Sequence, residues 1–233
     1  PRYVTLRRTC SSVFWLDPLV YKAEIVEQDL SLIEEIGMNV VAIVLVASYY
    51  EPDFWPQENH LRYKDSRDVI PKEKMDNLYD FLERAKKHNL KVGCFIFGAN
   101  PLYFNEWVVR QWLEEGKLAE SDTIYAWDIA WEPHLGQPND SYWRRIWDPQ
   151  WEEWVINRYG SLRKAENAWG YSLGKRGNYL ASPNEEHLLK RGPWNRLVSA
   201  YARFINDFVS KRFAQSTRKI REIDPNHLIG AHT

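Results

Sequence analysis

The stretch that decides the fold is MNVVAIVLVAS, residues 38–48. Its apolar residues follow one another without the alternation of a strand that is exposed on one face. A continuous run of this kind is typical of a strand in a parallel sheet that is covered on both sides. Tyr49, Tyr50, Glu51 and Pro52 follow and end the strand. The sequence therefore predicts an α/β fold built on a parallel sheet.

Helical and strand patterns alternate around this run. The predicted helices cover residues 21–36, 71–89, 104–113, 148–159, 161–169 and 193–223, the last as one long helix or a broken pair. The other predicted strands cover residues 8–16, 90–97, 123–131 and 227–231. Asp17, Pro18 and Leu19 follow the first of these strands, where a doubly wound nucleotide-binding sheet would have a glycine-rich turn, so a barrel is favoured.

A complete (β/α)8 TIM barrel takes about 250 residues, and five predicted strands already use most of this chain. We therefore expect residues 1–233 to be the N-terminal part of a single barrel, incomplete here, with a helical insert at about 137–192. A chain that stopped after a buried strand would leave an apolar edge open. The remainder of the barrel is expected to come from the same polypeptide.

Composition excludes several classes of protein. The 31 Lys and Arg residues balance 32 Asp and Glu residues and form no basic stripe, which argues against nucleic acid as a partner. No apolar run approaches the roughly 18 residues of a membrane span. We expect a soluble protein with no signal peptide or membrane segment in this chain, and the sequence leaves its compartment open. Cys10 and Cys94 are predicted to be free, buried thiols.

Aromatic side chains are unusually frequent, with 12 Trp, 13 Tyr and 9 Phe. Active-site residues of a barrel come from the carboxyl ends of its strands, and aromatic faces with a few polar groups suit a sugar ring. The residues predicted to bind substrate there are Trp15, Tyr49, Tyr50, Trp55, Asn100, Trp131, His134 and His232. A second aromatic series, Trp143, Trp147, Trp151 and Trp154, has near-helical spacing, which favours packing of the insert against the barrel over sugar binding.

Glu132 is the candidate catalytic residue. It follows the predicted strand 123–131, and Pro133 ends the strand there. Alternation along a strand would place Glu132 on the same face as Asp128 and Ala130. Crowding by Trp131 and other aromatic side chains would disfavour the charged carboxylate, which is the environment of a general acid. A solvated glutamate in a turn is the alternative.

Three stretches resemble clan A glycoside hydrolases. Trp131-Glu132-Pro133 is similar to the Asn-Glu-Pro motif that carries the acid/base glutamate at the end of the fourth barrel strand. The stretch 159–170, with YGSL and NAWG, resembles an insert of β-galactosidase-like members, and REIDPNH at 221–227 resembles the junction before the fifth strand of cellulase-like barrels. The resemblance implies retaining hydrolysis of β-linked glycosides, with Glu132 as acid/base, an oligosaccharide or glycoside as substrate, and no metal or cofactor.

The chain departs from this clan at one position, because Trp131 replaces the asparagine that contacts the sugar 2-hydroxyl. The clan's nucleophile belongs to a seventh strand, which these residues do not include. Asp17 and Asp128 could substitute for it, but a turn-capping role for Asp17 and a structural role for Asp128 are favoured. Two alternatives stay open: a carbohydrate-binding barrel that has lost catalysis, and a metal-dependent hydrolase that uses His134 and His232.

Overall fold

The structure is a computed structural model that describes residues 15–46, 69–131 and 141–232. The chain forms two compact units: the first comprises Pro1–Pro133 and Ala214–Thr233, and the second comprises His134–Phe213. In chain order the described α-helices and β-strands are α1 (Ala23–Glu35), β1 (Val40–Leu45), α2 (Lys72–Lys87), β2 (Lys91–Ile96), α3 (Glu106–Arg110), β3 (Ile124–Trp131), α4 (Ser141–Ile146), α5 (Asp148–Tyr159), α6 (Leu162–Trp169), β4 (Lys175–Arg176), β5 (Tyr179–Leu180), α7 (Glu185–Leu189), α8 (Asn195–Ile223) and β6 (Leu228–His232). A π-helical turn, Gln111–Glu115, continues α3.

The first unit contains a four-stranded sheet in the order β1-β2-β3-β6, and all its neighbouring strands are parallel. The predicted parallel α/β sheet is therefore confirmed. The strand predicted at residues 8–16 lies mostly outside the described residues, and its last two residues, Trp15 and Leu16, form a turn instead. Closure of the sheet into a barrel, with an insert at about 137–192, stays a prediction.

Both faces of β1, β2 and β3 are buried towards the carboxyl ends of these strands. On one face Val44, Val46 and Phe95 form a cluster with Phe97. The alternate positions of β1, β2 and the first half of β3 point to the opposite face and are at most 2% exposed: Val41, Ile43, Leu45, Val92, Cys94, Ile96 and Trp127. This two-sided burial explains why the sequence of β1 does not alternate.

Cys94 is a free, buried thiol, as predicted, and burial raises its pKa. Cys10 lies outside the described residues.

Helices α1 and α2 are joined by a network of charged side chains centred on His88. Its Nδ1 lies 2.7 Å from a Glu34 carboxylate oxygen, and its Nε2 lies 3.0 Å from a Glu27 oxygen. Arg84 donates to Glu27 at 2.7 Å and to Asp80 at 2.8 Å. The hydrogen bond to Glu34, assisted by Glu27, raises the pKa of His88 against the opposing effect of its partial burial.

This network predicts a pH-dependent contribution to stability. Because the pKa of His88 is raised by folding, the contribution is complete below the unfolded value of about 6.5 and is lost as pH rises through the folded value. Denaturant unfolding at pH 6 and pH 9 should show the wild type losing about 1 kcal/mol more stability than His88→Gln over this interval. Equal losses in the two proteins would contradict the assignment.

The second unit is organised around stacked tryptophans. Trp151 is fully buried, with Trp154 and Trp169 stacked against it at ring separations of 5.6 and 5.8 Å. Trp143 and Trp147 are each 3% exposed. Trp143, Trp147 and Trp151 are therefore core residues of the second unit, and packing of the insert against the barrel by this series stays a prediction. Trp154 is half-buried, and its Nε1 donates to Asp207 at 2.8 Å.

The stretch 159–170 has a local structural explanation. Gly160 ends α5 and Gly170 ends α6, both with positive φ of 83° and 68°, which favours glycine. Ser161 caps α6 by accepting a hydrogen bond from the Lys164 amide at 3.2 Å. The stretch 193–223, predicted as one long helix or a broken pair, forms a single helix, α8. Within the described part of the chain, no helix combines the length and apolarity that crossing a membrane requires.

Candidate functional site

The carboxyl ends of the parallel strands form the candidate site, since ligands of α/β sheets bind beyond this edge. Leu45 at the end of β1 pairs with Ile96 at the end of β2. Trp131 at the end of β3 pairs with His232 at the end of β6. The backbone therefore brings two of the predicted substrate-binding positions, 131 and 232, side by side. Glu132 follows directly in the sequence.

Several predicted site residues lie outside the described residues: Glu132, Tyr49, Tyr50, Trp55 and His134. Their roles, and those of the Trp131 and His232 side chains, stay predictions. Trp15 and Asn100 are described, and both have partners inside the chain.

Trp15 belongs to a turn that contacts the end of β1. Its side chain is 5% exposed, and its Nε1 donates to the Val44 carbonyl oxygen at 3.2 Å. Its ring packs edge-on against Phe81 of α2, with the ring centroids 4.9 Å apart. Asp17 caps the same turn, because its Oδ1 accepts from the Leu19 amide at 2.9 Å. The turn-capping role expected for Asp17 is confirmed.

Asn100 organises the loop that follows β2. Its Oδ1 accepts from the Leu102 amide and its Nδ2 donates to the Tyr103 hydroxyl, both at 3.0 Å. Burial raises the pKa of Tyr103 to about 12, although the Asn100 bond opposes the shift. Asn100 is itself only 1% exposed, so the fold already uses both ends of its amide. A sugar contact by Asn100 stays a prediction.

Strand β3 carries a bulge immediately before the candidate acid/base. Asp128 pairs with Gly230 and Trp131 with His232, so three steps along β3 match two along β6. The Ala130 amide donates to Asp128 Oδ1 at 3.1 Å, which confirms a structural role for Asp128. The strict alternation used to place Glu132 on the face of Asp128 and Ala130 is therefore interrupted, because the extra residue shifts the pattern.

Sequence reasoning missed a buried lysine near this edge. Lys74 of α2 is 1% exposed, and its Nζ donates to the Val46 carbonyl oxygen at 3.1 Å, just after β1 ends. Burial lowers the pKa of Lys74 to about 8, against the opposing effect of the Asp17 carboxylate. A signal was available, because Lys74 lies four residues before Leu78 and seven before Phe81, in the apolar stripe of the helix.

A second buried network, which the sequence analysis also did not predict, joins the end of α8 to the start of β6. The fully buried Asp224 carboxylate accepts hydrogen bonds from Trp127 Nε1, from the Asn226 and His227 amides, and from His227 Nδ1 at 2.6 Å. His227 Nε2 also lies 2.9 Å from the Ser121 carbonyl oxygen. Burial alone would raise the pKa of Asp224, but these hydrogen bonds outweigh it and the pKa lies below its usual value. The 221–227 stretch thus forms a structural junction.

Across the ranges that the structure describes, no group of three or more His, Cys, Asp or Glu residues is arranged to hold a metal ion.

Comparisons with known proteins support the fold. No protein-family model matches the sequence, and no curated protein matches it. The structure is similar to β-galactosidase from the psychrophilic Marinomonas ef1, with a TM-score of 0.59 and 13% identity over 90% of this chain and 35% of that chain. The chain thus spans about a third of that enzyme's length. At this identity the likeness shows a shared α/β fold with a parallel sheet.

Two structures of GH5_18 from Bifidobacterium longum subsp. longum ATCC 55813 are also similar. They are 17% and 18% identical to this chain. Each match covers 78% of this chain and 43% of the Bifidobacterium chain. Their TM-score of 0.36 is too low to carry any argument about this chain.

Proposed function

We propose that this chain is the first part of the (β/α)8 barrel of a glycoside hydrolase that cleaves β-linked glycosides with retention of configuration. The observation that supports the proposal most strongly is the position of Trp131-Glu132-Pro133. The motif begins at the carboxyl end of β3, where position 131 pairs with position 232, in a parallel sheet shared with a β-galactosidase. A carboxyl group that follows such a strand end can reach a ligand bound at the edge of the sheet.

In this mechanism Glu132 acts as general acid and then as general base. It first protonates the departing glycosidic oxygen while a second carboxylate attacks the anomeric carbon, and it later takes a proton from the water that releases the sugar. The two carboxyl groups of a retaining enzyme lie about 5 to 5.5 Å apart. We assign the nucleophile to the remainder of the barrel, beyond these 233 residues.

We assign sugar binding to the predicted aromatic and polar side chains around the strand ends. Aromatic faces pack on the C–H face of a pyranose, and amide or imidazole groups bond its hydroxyls. These residues are Trp15, Tyr49, Tyr50, Trp55, Asn100, Trp131, His134 and His232. No cofactor enters the proposed reaction.

The amino-terminal half of the sheet supports the proposal that more chain completes the barrel. Ala42, Gly93, Ala126 and Leu228 pair in register and form one row across the sheet. Ala42 is exposed and Leu228 is 64% exposed, whereas Val44 and Phe95, two residues further along the same face, are buried. Further strands would cover this open part of the sheet.

The experiment that tests the proposal is hydrolysis of a panel of aryl β-glycosides by the full-length protein, followed by proton NMR of the released sugar. We expect at least one glycoside to be cleaved, with the β anomer appearing before mutarotation forms the α anomer. First appearance of the α anomer would contradict the retaining mechanism. Saturable sugar binding without turnover of any substrate would instead support the non-catalytic carbohydrate-binding barrel.

A further inference from the structure

A buried charge in α2 has no role in the proposed reaction. Lys74 occupies a position in the helical stripe whose next members, Leu78 and Phe81, are fully buried core residues. Taking an ammonium group out of water costs several kcal/mol unless other groups compensate. If the position served packing alone, an apolar side chain would therefore stabilise the fold more. The position of the ammonium group therefore needs an explanation beyond filling space.

The Lys74 ammonium lies where three segments of the first unit meet. It donates to the carbonyl oxygen of Val46, the residue that follows β1, and the Asp17 carboxylate acts on it electrostatically. One helical turn further along α2, Asn77 Nδ2 donates to the Leu16 carbonyl oxygen at 3.0 Å. Helix α2 thus binds both the end of β1 and the 15–17 turn through polar side chains.

The same two segments are also bonded to each other. Trp15 Nε1 donates to the Val44 carbonyl oxygen at 3.2 Å, and the Trp15 ring packs on Phe81 of α2. The end of β1, the 15–17 turn and α2 therefore restrain one another at the carboxyl edge of the sheet. A charged donor makes a stronger hydrogen bond to a carbonyl than a neutral one, so Lys74 is a strong restraint on Val46.

We infer that Lys74 is a positioning residue of the candidate sugar site, which it serves by fixing the carboxyl end of β1 and the turn that carries Trp15. Lys74 itself need not touch the sugar. It acts through the Val46 carbonyl just after the end of β1, while Asn77 of the same helix holds the turn that carries Trp15. The effect expected on KM rests on the proposed function. The effect expected on hydrogen exchange rests only on the contacts of Lys74, Asn77 and Trp15.

The test compares Lys74→Met with Lys72→Met in the full-length protein. Lys72 belongs to the same helix, but its side chain is 82% exposed and pairs with Asp76, so its replacement controls for the loss of a lysine from α2. We expect Lys74→Met to raise KM about tenfold and to leave kcat within about twofold, because misplaced binding residues weaken substrate binding without removing the acid/base. The Lys72→Met variant should match the wild type.

A purely structural role would give a different kinetic result. Loss of folded protein lowers the number of active sites, so kcat would fall while KM stayed the same, and this result would overturn the inference. If Lys74→Met does not fold, Asn77→Ala replaces it in the test, because this variant removes only the bond to Leu16. The KM of Asn77→Ala should rise as well, and an unchanged KM in that variant would overturn the inference.

Hydrogen exchange separates failure of this inference from failure of the proposed function. In Lys74→Met, amides of residues 15–21 and 40–46 should exchange faster than in the wild type, and those of β3 should not. Unchanged exchange in both segments would overturn the positioning role even if the enzyme is active. If the wild type hydrolyses no glycoside, the proposed function fails, and faster exchange confined to these segments would still support the restraint by Lys74.

Discussion

Replacing Glu132 with alanine is expected to lower the rate of hydrolysis of glycosides with poor leaving groups by about 10² to 10⁴-fold. An alkoxide departs slowly unless it is protonated as the bond breaks, and Glu132 is the group proposed to supply that proton. An activated aryl group leaves as a stable phenolate and needs little protonation, so the rate of bond cleavage of such substrates should fall much less. Steady-state and pre-steady-state kinetics with the two kinds of substrate measure this difference.

The control for this experiment is Glu153→Ala. Glu153 is an exposed glutamate of α5, in the second unit, and its replacement should leave the rates unchanged. Equal losses in the rate of glycosidic bond cleavage, measured as kcat/KM, for good and poor leaving groups in Glu132→Ala would contradict the acid role, because a damaged fold would affect both substrates alike. Full activity of the variant towards poor leaving groups would end the assignment.

The second large effect is expected for Asp224→Ala, which should lower the free energy of unfolding by about 3 to 5 kcal/mol. The substitution leaves Trp127 Nε1, His227 Nδ1 and two backbone amides without their buried acceptor. Asp224→Asn keeps one acceptor oxygen and should cost less. Urea unfolding measures the change. Asp76→Ala is the control, because the Asp76 carboxylate is 52% exposed. Its removal should lower the free energy of unfolding by less than about 1 kcal/mol.

The lowered pKa of Asp224 also fixes the sign of its pH dependence. Its contribution to stability is complete above the unfolded value of about 3.9 and is lost as pH falls through the lower folded value. The wild type should therefore lose more stability than Asp224→Asn between pH 5 and pH 2. Parallel stability curves for the two proteins would contradict a charged, hydrogen-bonded Asp224 in the folded state.

The four strands of the sheet were predictable from the sequence because each lies in a short stretch rich in apolar residues. Residues 38–48, 90–97, 123–131 and 227–231 each contain or overlap an observed strand, and the helices between them begin and end within a few residues of their predicted bounds. Such stretches reflect local burial, which a single sequence records directly. The hairpin of β4 and β5 was missed because strands of two residues carry no periodic pattern.

Features that depend on partners far along the chain were not predictable in this way. The bulge in β3 arises from its pairing with β6, about a hundred residues later, and nothing in residues 128–131 alone specifies the slip in register. The Asp224 network likewise needs Trp127 and Ser121 to be brought to it by the fold. Lys74 was open to prediction from its place in an apolar stripe, because a lysine there must find a buried acceptor.

Azide rescue of Glu132→Ala tests the central claim most directly. With the acid/base removed and an activated aryl glycoside as substrate, the glycosyl-enzyme should accumulate, since no base activates water to release it. Azide needs no base, so adding it should accelerate turnover and yield a β-glycosyl azide that NMR identifies. Turnover that azide leaves unchanged, or a product that contains no azide, would contradict the assignment of Glu132 as the acid/base of a retaining glycoside hydrolase.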